Sequence, residues 1–295
     1  MGYRRRDGAG AGGPLGSAAV PAPLLQRART SLRLRALDLR DKVAGRADPL
    51  VPPRRLHFVG HAESDFAATG DEFLEHFTAL GGLTPSDRVL DVGCGIGRMA
   101  RPLAGFLDGA TGSYDGFDVN AEGIAWCRER YAGHPRFAFA VADLFNSRYN
   151  PVGTQSAQEF TFPYADASFD FTLATSVFTH LREGEADRYL AESARTLVPG
   201  GRLFATWFLL DAGSRAAIGA GRAALPFLAP EQRIAVVSEA VPEEAIAFDR
   251  EWLAEAAARH GLAVDAVHEG TWRGQTDPAG PSFQDIVVAT KAGSA

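Results

Sequence analysis

The chain has 295 residues, 46% hydrophobic and 22% charged, which is the balance of a globular protein large enough to bury a full α/β core. Twelve basic against four acidic residues fall within 1–60, a balance of +8 that leaves −14 for the rest of a net −6, so a chain-wide nucleic-acid surface is excluded. No apolar run reaches the about eighteen residues of a spanning helix, and two cysteines, Cys94 and Cys127, make neither a disulfide framework nor a metal cluster.

Residues 1–23 mix arginine with Gly, Ala and Pro and are predicted to be disordered. The cluster Arg4-Arg5-Arg6 faintly suggests an export leader, but Arg27, Arg29 and Arg33 follow and no proper apolar segment separates them. Residues 24–55 read as a basic amphipathic helix and a proline-rich linker. Leu25, Ala28, Leu32, Ala36, Leu39 and Val43 recur at helical spacing over 24–44. That helix suits packing on its own domain or a partner protomer, or peripheral contact with anionic lipid. Residues 56–84, with His57 and His61, are expected to form a lid over a pocket. Asp71 is its predicted helix cap, and Gly81-Gly82 its end.

Arg88 to Arg101 reads R-V-L-D-V-G-C-G-I-G-R-M-A-R. A short apolar run holding Asp91 leads into Gly93, Gly95 and Gly97, after which Met99, Ala100, Leu103 and Phe106 take helical spacing. This is a buried strand, a glycine turn and a helix start. Such a turn is expected to offer unpaired backbone N–H groups to a polar or anionic ligand. Strands follow at Ser113–Val119, ending in Asp118; at Phe137–Val141, followed by Asp143; at Phe169–Ala174; and at Arg202–Phe208. Helices capped by Asn120 and running from Glu185 to Leu197 separate them. Alternating strands and helices imply an α/β, doubly wound sheet with ligands at the carboxyl ends of its strands. The strand-like stretches Leu262–His268 and Gln284–Thr290 have no room between them for a helix, so the last strand is predicted to be antiparallel.

Gly95-Ile-Gly97-Arg-Met-Ala100 with Asp118 also fits a dinucleotide fingerprint, so an NAD(P)-dependent oxidoreductase stands as one alternative. The acid inside the first strand, Asp143 after the third, and the terminal hairpin favour another ligand. The motifs are Val89-Leu-Asp-Val-Gly-Cys-Gly-Ile-Gly97, Gly116-Phe-Asp-Val119, Ala142-Asp-Leu144, Phe162-Pro-Tyr-Ala-Asp-Ala-Ser-Phe-Asp170 and Leu197-Val-Pro-Gly-Gly-Arg-Leu203. Through them, residues 85–290 resemble the class I S-adenosylmethionine-dependent methyltransferases. Arg148–Gly153, Ser176–His180, Thr271–Gly274 and Gln284–Val288 suggest a bacterial branch within that family.

The resemblance implies a Rossmann-like seven-stranded sheet with helices on both faces and its last strand antiparallel. Residues 85–210 would form the cofactor-binding half and 211–295 a C-terminal half within a methyltransferase domain, 56–295. Gly93, Gly95 and Gly97 would admit S-adenosyl-L-methionine. Asp91 would meet its ammonium, Asp118 its ribose hydroxyls, and Asp143 with the Leu144 N–H its adenine. Ser176 would lie at the methionine end. The sulfonium carbon is already electrophilic, so alignment of the acceptor is the enzyme's main task, and an oxygen acceptor gains from a base.

His180 is the candidate base, with a helix-opening histidine as the alternative. His57, His61, Tyr149 and Asn150 are candidate acceptor-pocket residues. Trp272 and Arg273 read as structural. No metal site is expected. Thr175-Ser-Val-Phe stands where amino-methylating enzymes of nucleobases carry Asn-Pro-Pro-Tyr, which points toward a small-molecule, sugar or lipid-linked acceptor, with O-methylation favoured. A non-catalytic cofactor-binding protein is a further alternative. The expected location is cytoplasmic.

Overall fold

The computed structural model describes residues 33–40, 42–43, 45, 48–56, 66–146, 150–274 and 280–293. The expectations for 1–32, for His57 and His61 and for Tyr149 lie outside them. The chain divides into two units, one of residues 1–47 with 53–55, the other of 48–52 with 56–295. In the first, 33–40 is helical, and Arg54 Nη1 pairs with Asp38 Oδ1 at 2.9 Å.

The second unit is built on a seven-stranded sheet of β1 (Arg88–Val92), β2 (Ser113–Asp118), β3 (Phe137–Val141), β4 (Phe169–Ala174), β5 (Leu197–Trp207), β9 (Leu262–His268) and β10 (Asp285–Lys291). Their order is β3-β2-β1-β4-β5-β10-β9. β10 runs antiparallel to both β5 and β9, as the missing crossover helix requires. β1 lies between β2 and β4, with Asp91 opposite Gly116 and Leu173. Reversal of strand order on either side of β1 opens a crevice at its carboxyl end.

Helices cover both faces because both faces are apolar. One core joins Leu90, Val92, Phe117, Ala174, Leu190, Trp207 and Trp252. The other joins Phe77, Val89, Ile96, Leu103, Tyr114, Phe171 and Phe204. α1 (Phe66–Ala79) belongs to this second core. Its Phe77 is fully buried, with ring centroids 6.0 Å from Phe171 and 4.9 Å from Phe204. The part of the expected lid that is described is thus packed under the sheet. Asp71 lies inside α1 and not at its cap, and pairs with Arg101 Nη1 at 2.7 Å.

α2 (Ala100–Phe106), α3 (Ala121–Arg130) and α4 (Glu183–Thr196) are the crossovers. Asn120 caps α3 as predicted, its Oδ1 accepting from Gly123 N at 2.6 Å. Pro199-Gly200-Gly201 does not separate helix from strand: β5 already begins at Leu197, and Gly200, at φ +79°, lets the chain turn within it.

Periodicity left residues 209–247 without elements. They hold β6 (Leu209–Leu210), α5 (Ala212–Gly219) and β7 (Ile234–Val236), joined by β8 (Ile246–Asp249) in a second sheet ordered β6-β8-β7. Phe208, Leu210, Phe227, Ala247 and Trp272 form its small core, and α6 (Arg250–Arg259) returns the chain to the main sheet.

Candidate active site

A cleft opens at the carboxyl ends of β1, β2 and β4. Gly93, Gly95, Asp118, Leu144, Ser176 and His180 line it, so six of the residues singled out from sequence converge there. Gly93, Gly95 and Gly97 take φ of +74°, +59° and +81°, the left-handed region that favours glycine. A Cβ on Gly93 would stand 2.5 Å from Val177 Cγ2, so the β1 and β4 turns close on each other only without one.

The turn's amides are not left open as expected. Gly93 N and Cys94 N donate to Phe117 O at 2.9 and 3.0 Å, and Gly97 N to Cys94 O at 3.0 Å. Gly95 N donates to Asp118 Oδ2 at 2.9 Å. The turn is stitched to the end of β2, and its contribution is space rather than a nest of free donors.

Asp118 accepts on its other oxygen from Asn120 N at 2.7 Å. Burial raises its pKa, and the backbone donors from Asn120, Gly95 and Val119 oppose the rise. Three backbone donors leave the carboxylate a lone pair for a hydroxyl in the cleft. Asp91 is fully buried in β1. The Tyr114 hydroxyl donates to its Oδ2 at 2.6 Å, while Oδ1 has no partner among the described residues. Burial pushes its pKa to about 7, Asp118 adds to the rise, and the Tyr114 hydrogen bond and Arg98 oppose it. A buried carboxylate with one unsatisfied oxygen is a place for a donor or cation.

The adenine side differs from expectation. Asp143 is exposed and outside the lining, and Thr154 Oγ1 donates to its Oδ2 at 2.6 Å. The Leu144 N–H donates to Ala142 O at 2.9 Å, and the wall is made by Leu144, Phe145 and Asn146. Asn150 also stands outside the lining and braces that wall, donating from Nδ2 to Leu144 O at 3.0 Å and exchanging backbone hydrogen bonds with Asn146.

On the opposite wall His180 ends a short 3₁₀ turn, Phe178–His180. Phe178 anchors the turn, stacked on Trp207 with centroids 4.1 Å apart. His180 Nδ1 lies 2.8 Å from the Glu243 carbonyl oxygen. A carbonyl only accepts, so Nδ1 carries the proton and Nε2 is the basic nitrogen of the neutral ring. Glu243, itself buried, accepts from Arg182 Nε at 2.9 Å through its carboxylate.

Sequence reasoning missed Glu243, because it reaches His180 from a 3₁₀ turn between β7 and β8, 63 residues away. It also missed Glu185 and Tyr189, one helical turn apart on α4 and both in the lining. Their i, i+4 spacing at the start of a helix after β4 was the available signal. Burial raises the Glu185 carboxyl and the Tyr189 hydroxyl alike.

These features fit a nucleoside joined to a cationic chain: an acid at the end of β2 stands in the cleft wall for a ribose, and a Cβ on Gly93 would press on Val177, while Asp91, a half-paired buried acid in β1, and Gly97 stand outside the lining. Residues 90–205 match the model of a methyltransferase domain family. The chain is 38% identical over 130 residues to a fatty-acid O-methyltransferase of Mycolicibacterium smegmatis, covering 43% of this chain and 39% of that protein. It is 34% identical over 134 residues to a phthiotriol/phenolphthiotriol dimycocerosates methyltransferase of Mycobacterium ulcerans, covering 44% and 41%. The chain spans about two fifths of the length of these curated relatives. A solved protein from Pyrococcus horikoshii shares the fold, with TM-score 0.51 and 14% identity over 78% of this chain and 92% of that one.

Over residues 90–205 the chain matches a methyltransferase domain, set in a sheet of Rossmann-like order. S-adenosylmethionine is the cofactor of that domain.

Proposed function

We propose that the protein is a methyltransferase that passes the methyl group of S-adenosylmethionine to a small-molecule, sugar or lipid-linked acceptor, at an oxygen atom. The observation that carries this reading is the meeting of Gly93, Gly95, Asp118, Ser176 and His180 around one cleft, inside the matched domain. The bound cofactor supplies an electrophilic methyl group, so the protein's work is binding, orientation and proton handling. Asp118 holds ribose hydroxyls, and Asp91 neutralises the ammonium from beneath the glycine turn. His180 Nε2 takes the acceptor's hydroxyl proton, its ring fixed through Nδ1 by the Glu243 carbonyl.

The names of the relatives, one acting on fatty acids and others on dimycocerosates, support a lipid-like acceptor. So does a lining that joins Leu144, Phe145, Ala157, Val177 and Leu181. Buried, unpaired Cys94 and Cys127 suit the reducing cytoplasm, and the basic segment 24–44 would bring the enzyme to an anionic lipid surface.

Two measurements test the proposal. Calorimetric titration with S-adenosylhomocysteine and with NAD(P)H is expected to show binding of the first alone, and the reverse result would replace the reading by an oxidoreductase. Mass spectrometry across fatty acids, lipid alcohols and glycosides is expected to find one acceptor gaining about 14 Da, the mass of one added methylene. A protein that binds the cofactor and methylates none of them would be a binder only.

A further inference from the structure

Ser176 stands just past β4 in the cleft wall, with φ +56°, a left-handed conformation that costs a residue bearing a Cβ. Something must hold it there. Its N–H donates to Thr206 Oγ1 at 2.7 Å, and its hydroxyl to Gln284 Oε1 at 3.0 Å. Thr206 Oγ1 donates to the same Gln284 oxygen at 2.5 Å. One amide oxygen thus gathers the hydroxyl hydrogens of β4's turn and of β5.

Gln284 is itself fixed by its neighbour. Asp285 is fully buried and accepts from Leu209 N and Gly270 N at 2.7 Å, and from Trp272 Nε1 and Arg273 Nε at 2.9 Å. The terminal hairpin, the second sheet and the β4 turn are therefore tied together behind Ser176, and of these residues Ser176 lines the cleft. None of this is needed to bind ribose at Asp118.

We propose that Gln284 is a positioning residue for the amino-acid end of the cofactor: by taking the Ser176 hydroxyl hydrogen, it leaves Ser176 Oγ an acceptor toward the cleft, matched to an ammonium donor. The placement follows from strand order. Asp118 ends β2 and Ser176 follows β4, on opposite sides of Gly93 at the end of β1. A ligand with its ribose on Asp118 and its base toward Leu144 and Phe145 carries its remaining chain across Gly93 to Ser176. Asp91, opposite Leu173 of β4, lies beneath that path. The inference rests on the cofactor assignment of the preceding section and adds a residue 108 positions from the one it orients.

The test compares S-adenosylhomocysteine with 5′-methylthioadenosine, which keeps the nucleoside and lacks the amino-acid chain. Gln284→Leu is expected to weaken S-adenosylhomocysteine about tenfold, the worth of one hydrogen bond to a charged group, and to leave 5′-methylthioadenosine unchanged. Gln284→Glu, which keeps an acceptor for both hydroxyls, is expected to retain near-wild-type affinity. Ser176→Ala is expected to reproduce the selective loss, and Gln284→Leu to add little in that background; this variant carries the test if Gln284→Leu does not fold.

Unchanged S-adenosylhomocysteine binding in Gln284→Leu would overturn the proposal. Equal loss for both ligands would reduce Gln284 to a structural brace. Loss in Gln284→Glu matching that in Gln284→Leu would mean that the amide is turned the other way and the hydroxyls donate into the cleft. Wild-type protein that binds 5′-methylthioadenosine but not S-adenosylhomocysteine would overturn this inference and leave a nucleoside site, whereas binding of neither would overturn the cofactor assignment itself.

Discussion

With Asp91 as the proposed partner of the cofactor's ammonium, cofactor binding should depend on pH. The Asp91 carboxyl is fully buried, has one oxygen unpaired among the described residues, and is raised by that burial to a pKa of about 7. The ligand-free protein therefore holds a proton there through much of the neutral range. An ammonium on Oδ1 requires the carboxylate, so binding must expel the proton. With a pKa of about 7 the penalty factor is roughly 1.1 at pH 8 and roughly 11 at pH 6, a tenfold loss of affinity, about 1.4 kcal/mol.

The sign for stability is opposite. The folded pKa lies above the ordinary carboxylate value, so the folded state holds the extra proton and the ligand-free protein loses stability as pH rises toward about 7. Calorimetry with S-adenosylhomocysteine at pH 6, 7 and 8, in buffers of different ionisation heat, should show affinity rising with pH and about half a proton released at pH 7. Asp91→Asn should bind weakly and with a flattened profile, any remaining slope belonging to Asp118, which burial also raises. A wild-type affinity constant from pH 6 to 8, or an Asp91→Asn profile parallel to wild type, would refute the assignment of Asp91 to the ammonium.

Asp118→Ala should cost S-adenosylhomocysteine binding roughly 1.5–3 kcal/mol, with unfolding followed alongside because Asp118 also holds Gly95 and Asn120; unchanged affinity would remove the ribose role. His180→Gln should lower kcat for an oxygen acceptor roughly 10²–10⁴-fold while S-adenosylhomocysteine affinity stays level, and equal losses in both would make His180 a binding residue. Arg273→Met strands the buried Asp285 carboxyl and frees Asp211, and should destabilise by roughly 3–5 kcal/mol in denaturant unfolding. A loss below about 1 kcal/mol would show that the Asp285 charge is satisfied by its other donors.

Short-range order decided what could be read without coordinates. The apolar run with Asp91, the alternate glycines and Asp118 are each set by local constraints: burial of a strand, a left-handed turn, a polar strand end. So was the antiparallel β10, because the 16 residues between β9 and β10 hold no helical pattern. The second sheet escaped because β6, β7 and β8 have 2, 3 and 4 residues, too few for any period to show.

The turn's free amides were a reasonable expectation from glycine spacing, and were wrong because β2 supplies Phe117 O and Asp118 as their acceptors. Sequence by itself determined which residues lie at the ends of the central strands, and its motifs carried the resemblance that implied the cofactor. Which side chains meet across strands was decided by tertiary structure alone: Glu243 with His180, Gln284 with Ser176. Those contacts depend on strand order and register, and residues 63 and 108 positions apart carry no local signal of each other.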